Sequence, residues 1–168
     1  MLNITMKKIN ILVSTFFGCG YLTKIPGTIT SIVTTILIYL AYEYLGFTEL
    51  KFSIIFFILL FLYSFYAVKN SESEFKNKDP RQIVIDEVLG QSMPLIMLLY
   101  LSQNNQLDMQ IEIYYVLSLL FFRFFDILKP FPVSYFDKNF KNYFGIIMDD
   151  IMAGIYSMFL IYLISLKF

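Results

Sequence analysis

Residues 121–155 read FFRFFDILKPFPVSYFDKNFKNYFGIIMDDIMAGI. This stretch sets Arg123, Asp126, Lys129, Asp137, Asp149 and Asp150 between and at the ends of two strongly apolar segments. A carboxylate at a membrane boundary is costly unless it is paired, solvated or bound to a cation. Here several occur together with fixed cations beside them, which points to a site that holds a divalent metal and a phosphate.

The rest of the composition agrees with a membrane setting. The 168 residues are 58% hydrophobic and 15% charged, with a mean hydropathy of +0.66. Ordinary globular domains are roughly 45–50% apolar and about 25% charged. At this length one domain, residues 1–168, is expected. Lys plus Arg and Asp plus Glu are both 13, so no basic face for nucleic acid is visible. Cys19 is the sole cysteine, which excludes an internal disulfide. Histidine is absent, which removes the commonest general base and most zinc sites. Acid–base chemistry is left to Asp, Glu, Lys, Tyr or metal-activated water.

Apolar segments at 29–45, 52–68, 88–101, 111–128 and 146–166 predict about five membrane-spanning helices, each needing about 20 residues. Residues 1–28 are mixed in character, and Thr28 or Thr30 is placed to cap the first of these helices. If all five segments span, one side receives residues 1–28, 69–87 and 129–145. That side holds Lys7, Lys8, Lys24, Lys69, Lys76, Lys78, Arg81, Lys129, Lys138 and Lys141, with Arg123 near it. The other side has only Lys51 and Lys167. The positive-inside rule makes the first side cytoplasmic. All the polar clusters fall on that side: the Gly-Pro-rich loop Gly18–Thr28, Asp79–Glu87, and Arg123 through Asp150.

Asp86-Glu87 precedes an apolar run, and Asp149-Asp150 repeats the pattern. Acids in a first helical turn can simply complement the helix dipole. Paired carboxylates are also the usual hard-oxygen ligands for magnesium. Arg123, Asp126 and Lys129, spaced three apart, share one helical face, and Pro130 makes Lys129 the end of that helix. The cations either snorkel to the surface or clamp a phosphoryl group, with Asp126 joining the metal shell. The glycines of Gly18–Thr28 offer backbone N–H groups to an anion, although tight-turn chemistry alone also explains them. Several phosphatase chemistries are excluded: the arginine position of C-x5-R after Cys19 is Ile25, D-x-D-x-[TV] does not occur, and phosphohistidine is impossible.

Taken together, Pro26-Gly27-Thr28, IVIDE at Ile83–Glu87 with Gly90, FR-x-x-D-x-x-KP-x-P at Phe122–Pro132, Phe136-Asp137, and GI-x-MDDI-x-AG at Gly145–Gly154 resemble the phosphatidylglycerophosphatase A family. The resemblance runs from about Gly18 to Gly154 in the family's order. It implies a magnesium-dependent lipid phosphatase of bacterial membranes that converts phosphatidylglycerophosphate to phosphatidylglycerol and inorganic phosphate. It also implies that Asp86, Glu87, Asp126, Lys129, Asp149 and Asp150 are active-site positions and that Gly18, Gly20, Pro26, Gly27 and Thr28 form the family's N-terminal loop. Two local departures stand out. Thr30-Ser31 replaces a usual Gly-Ser, and Lys141-Asn142-Tyr143-Phe144 replaces a glycine-rich entry to the last motif.

The expectation is therefore an all-α, polytopic membrane bundle in the bacterial inner membrane, with its site facing the cytoplasm. Mg2+ would be held by Asp86, Glu87, Asp126, Asp149 and Asp150. Glu87 or Asp126 would act as base, and Lys129, Arg123, Asp137 and the N-terminal loop would bind a lipid that stays in the leaflet. A metal-dependent headgroup transferase and a cation transport protein are the alternatives.

Overall fold

The structure, a computed structural model, describes residues 2–71, 74, 75 and 80–166. Lys76, Lys78 and Lys167, which enter the charge count above, and Asp79, which opens one of the polar clusters, lie outside the described residues. The described chain is helical throughout and contains no strand. The α-helices are α1 (Leu2–Ser14), α2 (Pro26–Glu43), α3 (Leu50–Ser71), α4 (Ile85–Gln103), α5 (Ile111–Leu128), α6 (Val133–Asn139) and α7 (Tyr143–Ser165), with a 3-10 turn at Cys19–Tyr21.

The five apolar segments correspond to α2, α3, α4, α5 and α7. Among them, α3 and α7 are long and apolar enough to cross a membrane, with mean hydropathies of 2.0 and 1.6. Helix α3 exposes Phe52, Ile55, Phe56, Leu59 and Leu62 along its length, and exposed apolar surface on that scale marks contact with a membrane or a partner. Helix α7 is half-buried and runs through the centre of the bundle.

Two helices arise where no regular element was expected. Helix α1 forms within the mixed residues 1–28 and packs on α3. The Tyr63 hydroxyl donates to Asn10 Oδ1 (3.0 Å), Ser14 and Ser71 share a hydrogen bond (2.9 Å), and Lys7 pairs with Glu74 (2.6 Å). Helix α6 forms inside the expected loop 129–145 and lies against the start of α7. Its rings continue across the join, with Phe136, Phe140 and Phe144 centroids 5.9 and 5.3 Å apart in sequence.

Neither Thr28 nor Thr30 caps α2. The helix starts earlier, with Ile25 as cap and Pro26 in the first turn, where proline's fixed φ and missing N–H cost nothing. Thr30 is instead buried within the helix.

The core is continuous along α4 and α7. Val68, Val88, Leu89, Ile147 and Ile151 pack at the end where α4 and α7 begin, and Leu95, Leu98, Leu101, Tyr114 and Ile161 pack toward the other end. At the crossing of α4 and α7, Gly90 and Gly154 face each other. A Cβ on Gly154 would stand 3.1 Å from the Gly90 Cα, and one on Gly90 would meet the Phe122 ring and the Asp150 carbonyl oxygen. Each glycine lies one turn beyond an acid, Asp86 before Gly90 and Asp150 before Gly154. The backbone contact therefore brings those two acids to the same level.

Candidate active site

The N-termini of α2, α4 and α7 and the C-terminus of α5 converge on one cavity of about 320 Å3. Pro26, Gly27 and Thr28 line it from α2, Asp86 and Glu87 from α4, Arg123, Asp126 and Lys129 from α5, Asp137 from α6, and Asp149 and Asp150 from α7. Residues from five separate motifs thus share one enclosure. Gly18 and Gly20 do not line it. Gly18 takes φ +90°, a left-handed turn that suits glycine, and Gly20 lies where a Cβ would collide with the Gln82 backbone. These two glycines shape the chain behind the cavity.

The five acids expected to share a metal fall into two groups. One carboxylate oxygen each from Asp86, Glu87 and Asp150 lie within 4.8 Å of one another. Within the same trio, Asp86 Oδ1, Glu87 Oε2 and Asp150 Oδ2 are buried and have no hydrogen-bond partner. Buried carboxylate oxygens without partners are strongly disfavoured unless a cation neutralises them. Three from three residues at one point fit a hard divalent ion, which takes oxygen ligands. Asp126 and Asp149 instead already have fixed cations. Arg123 Nη1 lies 2.7 Å from Asp126 Oδ2, and Lys129 Nζ donates to Asp149 Oδ2 at 2.7 Å. Asp149 Oδ1 also accepts from the Asp150 backbone N–H (3.1 Å).

Lys129 is held in an unusual way. It caps α5 in the left-handed conformation, φ 47° and ψ 57°, which costs a side chain with a Cβ roughly 1–2 kcal/mol. Its ammonium also donates to Asp137 Oδ1 at 2.7 Å, so it spans the gap between α6 and α7. Burial alone would lower the Lys129 pKa, but the bonds to Asp137 and Asp149 outweigh it and hold the ammonium above its ordinary range. For Asp137, burial pushes upward, and Lys129 with the neighbouring lysines brings the carboxyl below its ordinary value.

Gly27 has a direct part in the site. A Cβ there would occupy the place of Glu87 Oε1, so α2 can approach α4 only because residue 27 has no side chain. Lys24, Arg81, Phe140, Lys141 and Gly145 also line the cavity and are not among the site residues expected from the sequence. Gly145 abuts the Phe140 backbone closely enough to exclude a Cβ. Of the two departures from the motif pattern, Thr30 buries its hydroxyl without a hydrogen-bond partner among the described residues, and Lys141–Phe144 is absorbed by packing. Asn142 caps α7 by accepting from the Phe144 and Gly145 N–H groups (3.1 and 3.3 Å), and Tyr143 turns toward Phe65 and Lys69 of α3.

The model of the family described as phosphatidylglycerophosphatase A matches residues 12–165. The chain belongs to that family. It is 34% identical to the phosphatidylglycerophosphatase A of Haemophilus influenzae, over 97% of this chain and 96% of the relative. It is 32% identical to a Bacteroides thetaiotaomicron protein named "Putative phosphatidylinositol-3-phosphatase", over 90% of each chain. The Escherichia coli phosphatidylglycerophosphatase A is 29% identical, over 89% of this chain and 79% of the relative. No solved structure matches the chain. The family's matched region covers every residue of the cavity and leaves out most of α1.

Proposed function

We propose that the chain is a membrane-embedded, magnesium-dependent phosphatase that removes the terminal phosphate of phosphatidylglycerophosphate, leaving phosphatidylglycerol and inorganic phosphate. The observation that carries this reading is the trio of unpartnered carboxylate oxygens on Asp86, Glu87 and Asp150, beside Arg123 and Lys129, in a chain of this family. Six carboxylates and five Lys or Arg side chains line the cavity, a formal excess of one negative charge. Such a cavity repels a phosphate dianion, and one divalent ion reverses the sign.

Asp86, Glu87 and Asp150 would hold the ion. When bound, it supplies a Lewis acid toward the phosphoryl oxygens and lowers the pKa of water. Arg123 and Lys129 neutralise the remaining phosphoryl charge, the main requirement of phosphoryl transfer. Water attacks phosphorus, the bond from phosphorus to the glycerol oxygen breaks, and the departing alkoxide takes up a proton. Glu87 or Asp126 accepts the proton of the attacking water. Glu87 would use the carboxylate oxygen that the ion leaves free, and Asp126 would act while paired with Arg123.

The five spans of this reading are α2, α3, α4, α5 and α7, with the cavity at the cytoplasmic headgroup level. Helix α5 supports it. Its exposed stripe is Ile113, Val116, Leu120, Phe124 and Ile127, whereas its buried face includes Tyr114, Tyr115 and Ser118. A water-facing helix has the opposite polarity. The cation asymmetry supports the cytoplasmic orientation.

The test is phosphate release from phosphatidylglycerophosphate in detergent, with magnesium and with a chelator, for the wild type and Asp150→Asn. Release is expected only with the metal, and the substitution is expected to lower it at least about a hundredfold, since even indirect disturbance of a metal shell costs 10–100-fold. Metal-independent release, or full activity of Asp150→Asn, would overturn the reading. Phosphatidylinositol 3-phosphate belongs in the same assay because of the Bacteroides relative's name. Faster turnover of that lipid would exchange the headgroup in the reading and leave the chemistry intact.

A further inference from the structure

Charge in the cavity is layered. The unpartnered acids lie within helices α4 and α7, whereas Lys24, Arg81 and Lys141 sit on the segments that lead into α2, α4 and α7, two, four and two residues ahead of them. All three cations are exposed and all three line the cavity. From Tyr143 to Asp149 the helix rises about 9 Å at 1.5 Å per residue, so Lys141 stands well out from the acidic floor. Lys24 and Arg81 have no ion pair among the described residues, and Lys141 reaches Asp137 only at 3.8 Å. Lys129 and Arg123, by contrast, are committed to the interior carboxylates.

The substrate of the function proposed above carries two phosphates. One is the terminal monoester that leaves, and the other is the diester that joins the headgroup to the diacylglycerol, one glycerol away. We infer that the rim cations Lys24, Arg81 and Lys141 bind this diester phosphate, while the floor takes the monoester. The inference rests on the proposed function and adds residues that select the substrate. With the anion split between two stations, the lipid enters with its monoester foremost, and its acyl chains stay outside the rim. A free phosphate fills only the floor. The rim therefore favours a phosphorylated phospholipid headgroup over inorganic phosphate, the product that must leave.

The experiment compares the KM for phosphatidylglycerophosphate in mixed micelles with the inhibition constant of inorganic phosphate, for the wild type and the triple variant Lys24→Gln, Arg81→Gln, Lys141→Gln. Three exposed charge contacts of a few-fold each are expected to raise KM about tenfold when removed together. The inhibition constant is expected to move less than about twofold. The charge-conserving set K24R, R81K, K141R keeps the wild-type KM, and the three single Gln variants each give part of the rise, which guards against a triple variant that fails to fold. An unmoved KM overturns the inference. Parallel rises in KM and the inhibition constant overturn it too, because they denote a diffuse field acting on any anion. If the wild type releases no phosphate from this lipid with magnesium present, the proposed function fails and takes the inference with it. The first two failures leave wild-type turnover intact and so are distinct from the third.

Discussion

Gly27 illustrates how a single atom's absence can set a site. Its missing Cβ makes room for the Glu87 carboxylate, which is the end of a flexible side chain and can swing away at small cost. Gly27→Ala is therefore expected to leave thermal stability nearly unchanged, within about 1 kcal/mol, while displacing Glu87 from the trio. The magnesium concentration for half-maximal activity should rise about tenfold, as expected for a disturbed ligand, and a titration of activity against metal would measure it. Lys129 acts in the opposite direction, by reaching out. Asp137 has its folded-state pKa below the ordinary 3.8, so its contribution to stability is present above that value and is lost as pH falls through the lower, folded one. Lys129 is raised above 10.5, so its contribution is present below 10.5 and is lost as pH rises through the higher value. The stability gap between the wild type and Asp137→Asn is thus expected to be flat from about pH 4 to pH 10 and to close on the acid side, as melting temperatures across pH would reveal. A gap that opens or closes near neutrality would contradict that assignment.

Among the elements, the crossing of α4 and α7 matters most, because each helix brings an acid one turn ahead of the glycine at the contact. Alanine is the better helix former by about 1 kcal/mol. At residue 90 its methyl would meet the Phe122 ring and the Asp150 carbonyl, and overpacking of this kind costs about 1–3 kcal/mol. Gly90→Ala is expected to lose up to about 2 kcal/mol net and to lose activity far beyond that, since pushing the helices apart separates Asp86 and Glu87 from Asp150. Comparing Tm with phosphate release on the same preparation would test the disproportion. Much of this was legible in the sequence, because carboxylate pairs beside apolar runs are too costly to be idle, and the order of the motifs fixed which helices carry them. The partners of each acid were not legible. Whether Lys129 meets Asp149 depends on a left-handed residue at the end of α5 and on α6, and seven residues hold too few turns to show a helical period. Helix α1 escaped because its apolar run, Ile9–Phe17, is short and passes straight into the turns of Gly18–Thr28, although its residues do segregate into an apolar and a polar face. Gly18 and Gly20 looked like an anion loop because glycine permits both close approach and a tight turn, and here Gly18 serves a turn and Gly20 the close packing on the Gln82 backbone.

At the scale of the whole molecule, the cavity lies at the end of the bundle where α2, α4 and α7 begin, and the loop from Asn104 to Gln110 lies at the other end. Cysteines placed singly at Lys141 and at Gln106, in a chain with Cys19→Ser, are expected to differ in reaction with a membrane-impermeant thiol reagent on intact cells. Position 106 should label and position 141 should not until the membrane is opened. Labelling of both from outside would remove the five-span arrangement. The bundle also joins the site to residues far from it. The Ser14 carbonyl at the end of α1 accepts the Val84 N–H at 2.9 Å, and Gly20 lies flush against the backbone of Gln82. The first helix thereby acts as a strut under the segment that delivers Asp86 and Glu87. Shortening the chain ahead of residue 14 would spare every acid, yet leave that segment with one of its abutments gone. The tolerance of the chemistry to truncation is therefore governed by carpentry at the amino terminus, where no phosphate ever arrives.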